Sequence, residues 1–391
     1  MTLSLGSSIV APALPVYARS FDVTFGEASL VLIAYSVGQL AFSVPTGFLI
    51  DRFGRRRVLL AGPIVLAVAS VGAGLAGTFP LLVAFRFLAG CSHQMWMLSR
   101  LTVIADAGVE SQRGRQVMGM VGMESSGRLL GPALGGFLAA LIDVRAPFFL
   151  QAALTLLAIA PSFFLIKDTT PMPAAGRRGG QAGSSGTLAM LLTWSVAMFF
   201  LAQLFANLTR GATMSGQLHL YAVYAFGVGP ETVGLLASAA GLVGLPIIFS
   251  TGYLMDRFGR TATVVPGFTL TGISMAVMAI IAVTDGPFSV YVPAFLALQF
   301  SQSLTAGNMQ VIATLVAPER ARGRFFGIWR VAGEGGSAAS PALFALVAAH
   351  ASYGASFAML AAFSIFAALV LGTQVRGALK RLNQPIASPA A

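Results

Sequence analysis

The chain has 391 residues, of which 56% are hydrophobic and only 9% are charged. A soluble globular protein carries about a quarter charged residues, so this composition excludes a soluble fold. Uncharged stretches such as 58–85 and 261–284 are long enough to cross a bilayer core of about 30 Å as helices. Their continuous apolar character excludes a β-barrel of short alternating strands. The sequence therefore predicts an integral, all-α membrane protein.

Charged, Gly/Pro and turn clusters divide the chain into twelve predicted helical spans. In chain order these spans cover 1–18, 27–49, 58–76, 80–104, 116–140, 147–166, 188–215, 230–251, 262–283, 288–315, 325–348 and 353–375. The first is short, about 27 Å at 1.5 Å per residue, so a truncated N-terminus stays an open interpretation.

The net charge of +11 follows the predicted topology. With the N-terminus inside, seventeen of the 24 cations fall in cytoplasmic loops and the tail, whereas opposite-side loops hold only Arg19 and Arg145. This asymmetry predicts that both termini are cytoplasmic. Because the cations sit in short loops between apolar spans, we expect no nucleic-acid partner.

One phrase occurs twice: GFLIDRFGR at 47–55 and GYLMDRFGR at 252–260, after the second and eighth spans. A second pair, RGR with a proline 19 residues after its first arginine, occurs at 113–132 and 322–341. Such repeats are typical of secondary transporters, and they predict two parallel copies. The predicted organisation is a six-helix bundle over 1–166, a flexible cytoplasmic linker over 167–187, a second six-helix bundle over 188–375 and a cytoplasmic tail over 376–391.

Several motifs resemble those of the major facilitator superfamily. GFLIDRFGRRR resembles its loop signature G-x-x-x-D-R-x-G-R-R, and LVAFRFLAG at 82–90 resembles its fourth-helix pattern, with Ala89 replacing the usual Gln. GRLLGPALGG at 127–136 is similar to the fifth-helix pattern of proton-coupled antiporters, chiefly drug exporters. The resemblance implies two pseudo-symmetric six-helix bundles, alternating access, and a multi-pass protein of the cell (inner) membrane.

The resemblance also implies a latch that closes the cytoplasmic side in one state. Its glycines would allow close approach and a sharp turn, and Asp51 would meet a helix N-terminus or a cation. The alternative is that these cations only set topology. The latch candidates are Gly47, Asp51, Arg52, Gly54, Arg55, Asp106, Asp256 and Arg257.

In the fifth span, small residues recur every four positions and predict a tight helix–helix seam, which the resemblance links to sealing the pathway. The motif residues are Gly127, Gly131, Pro132, Gly135 and Gly136.

A charged residue at the centre of a membrane helix costs about 2.5–3.5 kcal/mol, so such residues usually carry function. The proton-coupling candidates are Glu124, Arg128, Arg86 and Glu334. Each glutamate has an arginine four residues away, Arg128 or Arg330, and can pair with it. A carboxylate in low dielectric can exchange protons near neutral pH; a structural ion pair is the alternative.

Polar residues at helical spacing in the fourth, seventh and tenth spans fall where the resemblance places the central cavity. The candidates are Arg86, His93, Gln94, Gln203, Asn207, Arg210, Gln299 and Gln302. Hydrogen bonding between helices is the alternative role of a single Gln or Asn. Three arginines, Arg86, Arg128 and Arg210, favour an anionic or zwitterionic substrate over a drug cation.

Together these patterns predict a secondary active transporter, not an enzyme, that exports a small amphipathic or anionic compound in exchange for protons. The alternative is a proton symporter or uniporter that imports a metabolite, and a remote one is a non-transporting receptor. The sequence contains no phosphate-loop motif and no Cys/His metal spacing, so we expect neither direct ATP drive, nor a cofactor, nor a metal. The expected partners are lipid, substrate and protons, and the expected state is a monomer.

Overall fold

The computed structural model describes residues 2–107, 127, 129–165, 194–258, 261–305, 309, 312–313 and 322–375. Every regular element in these ranges is helical. The helices are α1 (Thr2–Arg19), α2 (Phe25–Phe53), α3 (Arg55–Gly74), α4 (Phe79–Ala107), α5 (Leu129–Leu141), α6 (Ala146–Leu165), α7 (Trp194–Met214), α8 (Gln217–Phe226), α9 (Pro230–Phe258), α10 (Thr261–Val283), α11 (Phe288–Thr305), α12 (Arg322–His350) and α13 (Tyr353–Val370). A short π-helix, Leu371–Val375, follows α13.

Seven of the described helices are long and apolar enough to cross a membrane, judged by length and composition. They are α2, α3, α4, α9, α10, α12 and α13. Large aliphatic side chains on the helices are exposed, among them Leu141 at 80% and Val331 at 73%. Such side chains suit contact with lipid rather than water. The predicted all-α membrane fold is confirmed.

The region after the seventh predicted span differs from expectation. The prediction ends this span at 215 and leaves a loop before 230, but residues 217–226 form the additional helix α8. Gly216 and Gly227 flank it with φ of 90° and 65°, in the left-handed region that favours glycine. The apolar sequence LHLYAVYAF therefore continues as helix after a break at Gly216, and the expected loop is wrong.

The turn between α2 and α3 depends on Gly54. Its φ of 84° and ψ of 156° are readily adopted by glycine, and its N–H donates to the carbonyl oxygen of Ile50 at 2.9 Å. The predicted sharp turn at Gly54 is confirmed. An added Cβ at Gly47 would meet no atom within 4 Å in the part of the chain that is described, so the close approach expected there stays a prediction.

The residues group into two compact units. The first contains the described parts of Met1–Arg178, Ala212–Leu242 and Pro341–His350. It therefore combines α1–α6 with segments from the second half of the sequence, namely the last residues of α7, all of α8, the beginning of α9 and the end of α12.

Within this first unit, α8 is fastened to the α1–α2 connection. Arg19 donates from Nη1 to the carbonyl oxygen of Val223 at 2.7 Å, and Gln217 donates from Nε2 to Ser29 Oγ at 2.9 Å. The ring of Phe25 contacts that of Tyr224, with centroids 5.7 Å apart. These contacts join the α1–α2 connection in the first half of the sequence to α8 in the second half. The predicted topology places this connection on the side of the membrane opposite to the cytoplasm.

The second unit contains the described parts of Gly179–Gly211, Val243–Ser340 and Ala351–Ala391. Its core is a buried apolar cluster that includes Phe199, Phe268 and Phe325. Hydroxyl groups bond helices to one another inside it: Ser364 Oγ donates to the carbonyl oxygen of Phe268 at 2.7 Å, and the hydroxyls of Thr271 and Ser301 lie 2.9 Å apart.

Candidate transport site

A cavity of about 180 Å³ lies within the second unit. Its wall combines amide and hydroxyl groups with one guanidinium and several apolar surfaces. The lining residues are Gln203, Ala206, Asn207, Thr209, Arg210, Phe268, Thr271, Gln302, Thr305, Met309 and Trp329. A wall of this mixed character suits a ligand with both apolar and polar parts.

Helix α7 supplies the polar side of the cavity. Gln203, Asn207 and Arg210 are spaced at i, i+4 and i+7, which places them on one helical face. Asn207 donates from Nδ2 to the carbonyl oxygen of Gln203 at 2.8 Å, and its Oδ1 accepts from Ser337 Oγ at 3.3 Å. Gln203 Oε1 is buried and has no hydrogen-bond partner in the described parts of the chain. Because an unpaired buried acceptor is unfavourable, Gln203 is available to a donor on a ligand.

The structure brings together four of the predicted cavity residues, Gln203, Asn207, Arg210 and Gln302. Gln299 is not part of the lining; its carbonyl oxygen accepts from Ser303 Oγ at 2.8 Å. Sequence reasoning missed Thr271 from α10 and Trp329 from α12. In the second half of the chain the resemblance points to the seventh and tenth spans, whereas Thr271 and Trp329 belong to the ninth and eleventh, and neither residue is part of a polar stripe.

In the first unit, a second group of residues surrounds α4. The guanidinium of Arg86 lies over the ring of Tyr35, 4.6 Å from its centroid. The His93 ring is 5.9 Å from Tyr35 and 6.0 Å from Trp96, and the guanidinium of Arg100 is 4.1 Å from the Trp96 centroid. Arg86 and His93 thus share Tyr35 as a neighbour. The other candidate on this helix, Gln94, is partly buried.

The glycines of the fifth span form the predicted close helix–helix contact, and they do so with two different helices. A Cβ at Gly127, Gly131 or Gly135 would collide with α1, at Leu5, Ser8 or Ile9 respectively.

The following glycine packs elsewhere. A Cβ at Gly136 would collide with the carbonyl oxygen of Pro230, at the start of α9. The backbone N–H of Ala133 also donates to Ser238 Oγ of α9, at 3.0 Å. Pro132 contributes its carbonyl oxygen, which a Cβ on Gly234 would meet. The small residues therefore let α5 approach two helices at once.

The described latch candidates contact neighbours on their own helices. Arg52 lies over the Phe53 ring at 5.5 Å, and Arg257 donates from Nη1 to Tyr253 Oη at 2.9 Å. The remaining charged candidates have side chains that lie outside the described part of the chain: Asp51, Arg55, Asp106 and Asp256. The latch stays a prediction.

Of the two predicted glutamate–arginine pairs, one lies within the described residues. Arg330 Nε is 3.9 Å from Glu334 Oε1, and both side chains are about two-thirds exposed, at 65% and 66%. At 3.9 Å the two atoms are too far apart for a hydrogen bond, so this is a long ion pair. Glu124 lies outside the described residues, as does Arg128.

Helices long and apolar enough to cross a membrane, close glycine contacts between helices and a cavity with a partly polar wall are the features of a membrane transporter with several spans. Two stretches, 1–210 and 199–387, each match the Major Facilitator Superfamily, and the chain belongs to that family. The match to each half agrees with the duplication inferred from the repeated DRFGR phrase.

Two relatives of the chain are named as resistance proteins. The chain is 26% identical over 295 residues to the quinolone resistance protein NorA of Staphylococcus aureus strain MRSA252, covering 74% of this chain and 73% of that protein. It is 22% identical to multidrug resistance protein 2 of Bacillus subtilis strain 168, covering 66% of this chain and 64% of the relative. The match thus spans just under two thirds of the latter's length.

Solved structures share the fold. A D-xylose–proton symporter superposes with a TM-score of 0.72 at 17% identity, covering 95% of this chain and 96% of that one. The xylose transporter XylE from E. coli, in an inward-open conformation, gives 0.71 at 16% identity, covering 96% and 95%. At this identity the likeness concerns the fold alone.

Proposed function

We propose that this transporter exports a small amphipathic or anionic compound in exchange for protons, by alternating access. The cavity of the second unit is the observation that carries the proposal. It offers the apolar surfaces of Trp329 and Phe268 together with amide groups and the guanidinium of Arg210. A compound with an apolar body and an anionic or polar group complements such a wall.

Export rather than import is supported by two further observations. The relatives NorA and multidrug resistance protein 2 carry names that refer to resistance. The fifth-span motif GRLLGPALGG, which resembles that of proton-coupled exporters, packs tightly on α1 and α9 through Gly135 and Gly136. A tight seam is what a barrier against leakage needs.

The proposal includes the placement of the chain. It would lie in the inner membrane as a monomer with both termini cytoplasmic, and the DRFGR loops would form the cytoplasmic latch. Cysteines introduced at Arg178 and Arg260 should then react with an impermeant reagent from the same side of the membrane. Labelling from opposite sides would contradict this topology.

The experiment that tests the function is a flux assay on purified protein in proteoliposomes. A panel of anionic, zwitterionic, neutral and cationic amphipathic compounds is loaded, with and without an imposed pH gradient. We expect gradient-driven movement of anionic or zwitterionic compounds against their own gradient. Movement of none of them, or movement indifferent to the pH gradient, would contradict the proposal.

Proton symport is the second candidate, and one observation favours it. No carboxylate is among the described residues that line the cavity. In cation antiport, the proton and the substrate can compete for one carboxylate, and a cavity without a carboxylate does not offer this competition. An anion and a proton attract each other and can bind at the same time, which favours symport. The sign of the proton movement distinguishes the two candidates.

A further inference from the structure

The first unit contains a chain of cations and aromatic rings that we call the α4 ladder. Its members are Tyr35, Arg86, His93, Trp96 and Arg100. Arg86 and His93 both contact the ring of Tyr35, His93 also contacts Trp96, and the guanidinium of Arg100 lies over Trp96. Four of them belong to α4 and span about 21 Å along its axis. Gly90 lets α2 come close enough to supply Tyr35, because a Cβ there would collide with the Tyr35 carbonyl oxygen.

Arg86 is the informative member. No carboxylate among the described residues lies within ion-pair distance of it, and its Nε has no hydrogen-bond partner there. Its contact is the face of Tyr35, at 4.6 Å from the ring centroid. A guanidinium inside a membrane helix bundle is costly, and such residues usually serve a ligand or ion. An anion at Arg86 would remove that cost.

The surfaces around Arg86 define the shape of the anion. Ring faces and guanidinium planes prefer flat π systems that stack on them. All five ladder residues are partly buried, so part of each side chain is left uncovered by the described protein. A carboxylate or sulfonate can accept two parallel hydrogen bonds from one guanidinium.

We propose that the α4 ladder binds small aromatic anions, with the acidic group at Arg86 and the ring stacked along the aromatic members. This inference rests on the proposed function and names the substrate class. By the predicted topology, Arg100 is near the cytoplasmic end of α4 and Arg86 lies deeper. The ladder therefore leads an anion from the cytoplasmic side towards the middle of the membrane.

Trp96 provides a direct readout, since the chain has three tryptophans. The protein used for the quenching assay carries Phe at Trp194 and Trp329, whereas flux is measured on protein that keeps both, because Trp329 lines the cavity of the second unit. The probe is 4-nitrobenzoate, a quencher of tryptophan fluorescence, compared with neutral 4-nitrobenzamide and cationic 4-nitrobenzylammonium. In purified protein we expect saturable quenching of Trp96 by the anion. The two analogues should bind at least about tenfold more weakly, because they cannot accept the charge-assisted bonds of Arg86.

Variants assign the binding to the ladder. Arg86→Gln should weaken 4-nitrobenzoate binding at least about tenfold. Arg145→Gln is the matched control, since Arg145 also lies near a tyrosine ring, 5.7 Å from the centroid of Tyr17, but outside the ladder; it should change nothing. If size-exclusion chromatography shows that Arg86→Gln is misfolded, variants of Tyr35 take its place. Tyr35→Leu should weaken binding, whereas Tyr35→Phe, which keeps the ring, should not.

Equal quenching by the three probes, or binding unaffected by Arg86→Gln and Tyr35→Leu, would overturn the ladder. A flux assay with 4-nitrobenzoate distinguishes a failure of the ladder proposal from a failure of the proposed export function. Binding to the ladder without any transport would contradict export but support the ladder. Export of other compounds with no charge preference at Trp96 would contradict the ladder alone.

Discussion

Gly136 of α5 and Gly234 of α9 face each other so closely that a Cβ on either would lie 3.1 Å from the Cα of the other. Each added Cβ would also meet a carbonyl oxygen, of Pro230 in one case and Pro132 in the other. Backbone cannot move aside as the end of a flexible side chain can. The contact of these two helices therefore requires glycine at both positions.

Gly136→Ala should lower the stability of the protein by about 1–3 kcal/mol, the usual effect of overpacking. Thermal unfolding in detergent measures the change. Gly335→Ala is the control, because a Cβ on this helical glycine meets no described atom within 4 Å. It should leave stability unchanged or raise it by up to about 1 kcal/mol. Equal effects of the two substitutions would contradict the seam.

The glycine contacts of α5 show which part of the helix packing can be predicted from the sequence and which part cannot. The four-residue spacing of Gly127, Gly131 and Gly135 predicts a tightly packed face, since helical periodicity fixes which residues share a face. It does not identify α1 as the partner. Gly136 falls off that face, and its role on α9 depends on a contact between residues about 100 positions apart. Such contacts leave no local pattern.

The cavity residues also include some that the sequence predicts and some that it does not. The stripe of Gln203, Asn207 and Arg210 is visible in the sequence because one helix carries all three. Trp329 cannot be recognised as a cavity residue from the sequence, because a tryptophan in an apolar span can equally well pack in the core or face the lipid. Helix α8 was missed because Gly216 looks like the end of a helix, whereas it is a break between two helices.

Arg210 should select for negative charge in the cavity. Arg210→Gln should reduce transport of an anionic substrate about tenfold relative to a neutral analogue, because it removes the one charged group among the described lining residues. Arg330→Gln is the control, since Arg330 is exposed and is not part of the lining. Flux ratios in proteoliposomes provide the measurement. An unchanged ratio in Arg210→Gln would reject this role.

Asp51 should matter for transport but not for folding. If the DRFGR loop is a latch, Asp51→Asn should strongly reduce transport while the amount of folded protein in the membrane stays normal. Arg177→Gln, in the predicted linker, keeps the loop intact and should retain transport. Transport at the normal rate in Asp51→Asn would leave these charges with a topological role only.

Glu124 is a candidate proton carrier, and the alternative is a structural ion pair with Arg128. Glu124→Gln cannot ionise, so substrate movement in proteoliposomes should lose its dependence on an imposed pH gradient. Glu334→Gln removes an exposed carboxylate from a weak ion pair and should preserve that dependence. If the gradient still drives Glu124→Gln at the normal rate, another group carries the proton.

The sign of proton movement during transport tests the exchange most directly. Proteoliposomes containing a pH-sensitive dye are given an inward gradient of a transported compound that lacks a titratable group, without an imposed pH gradient. Proton exchange predicts that the lumen becomes alkaline as substrate enters, whichever way the protein is inserted. A lumen that becomes acidic would indicate symport, and a lumen at constant pH would show that protons are not coupled; either result contradicts the account.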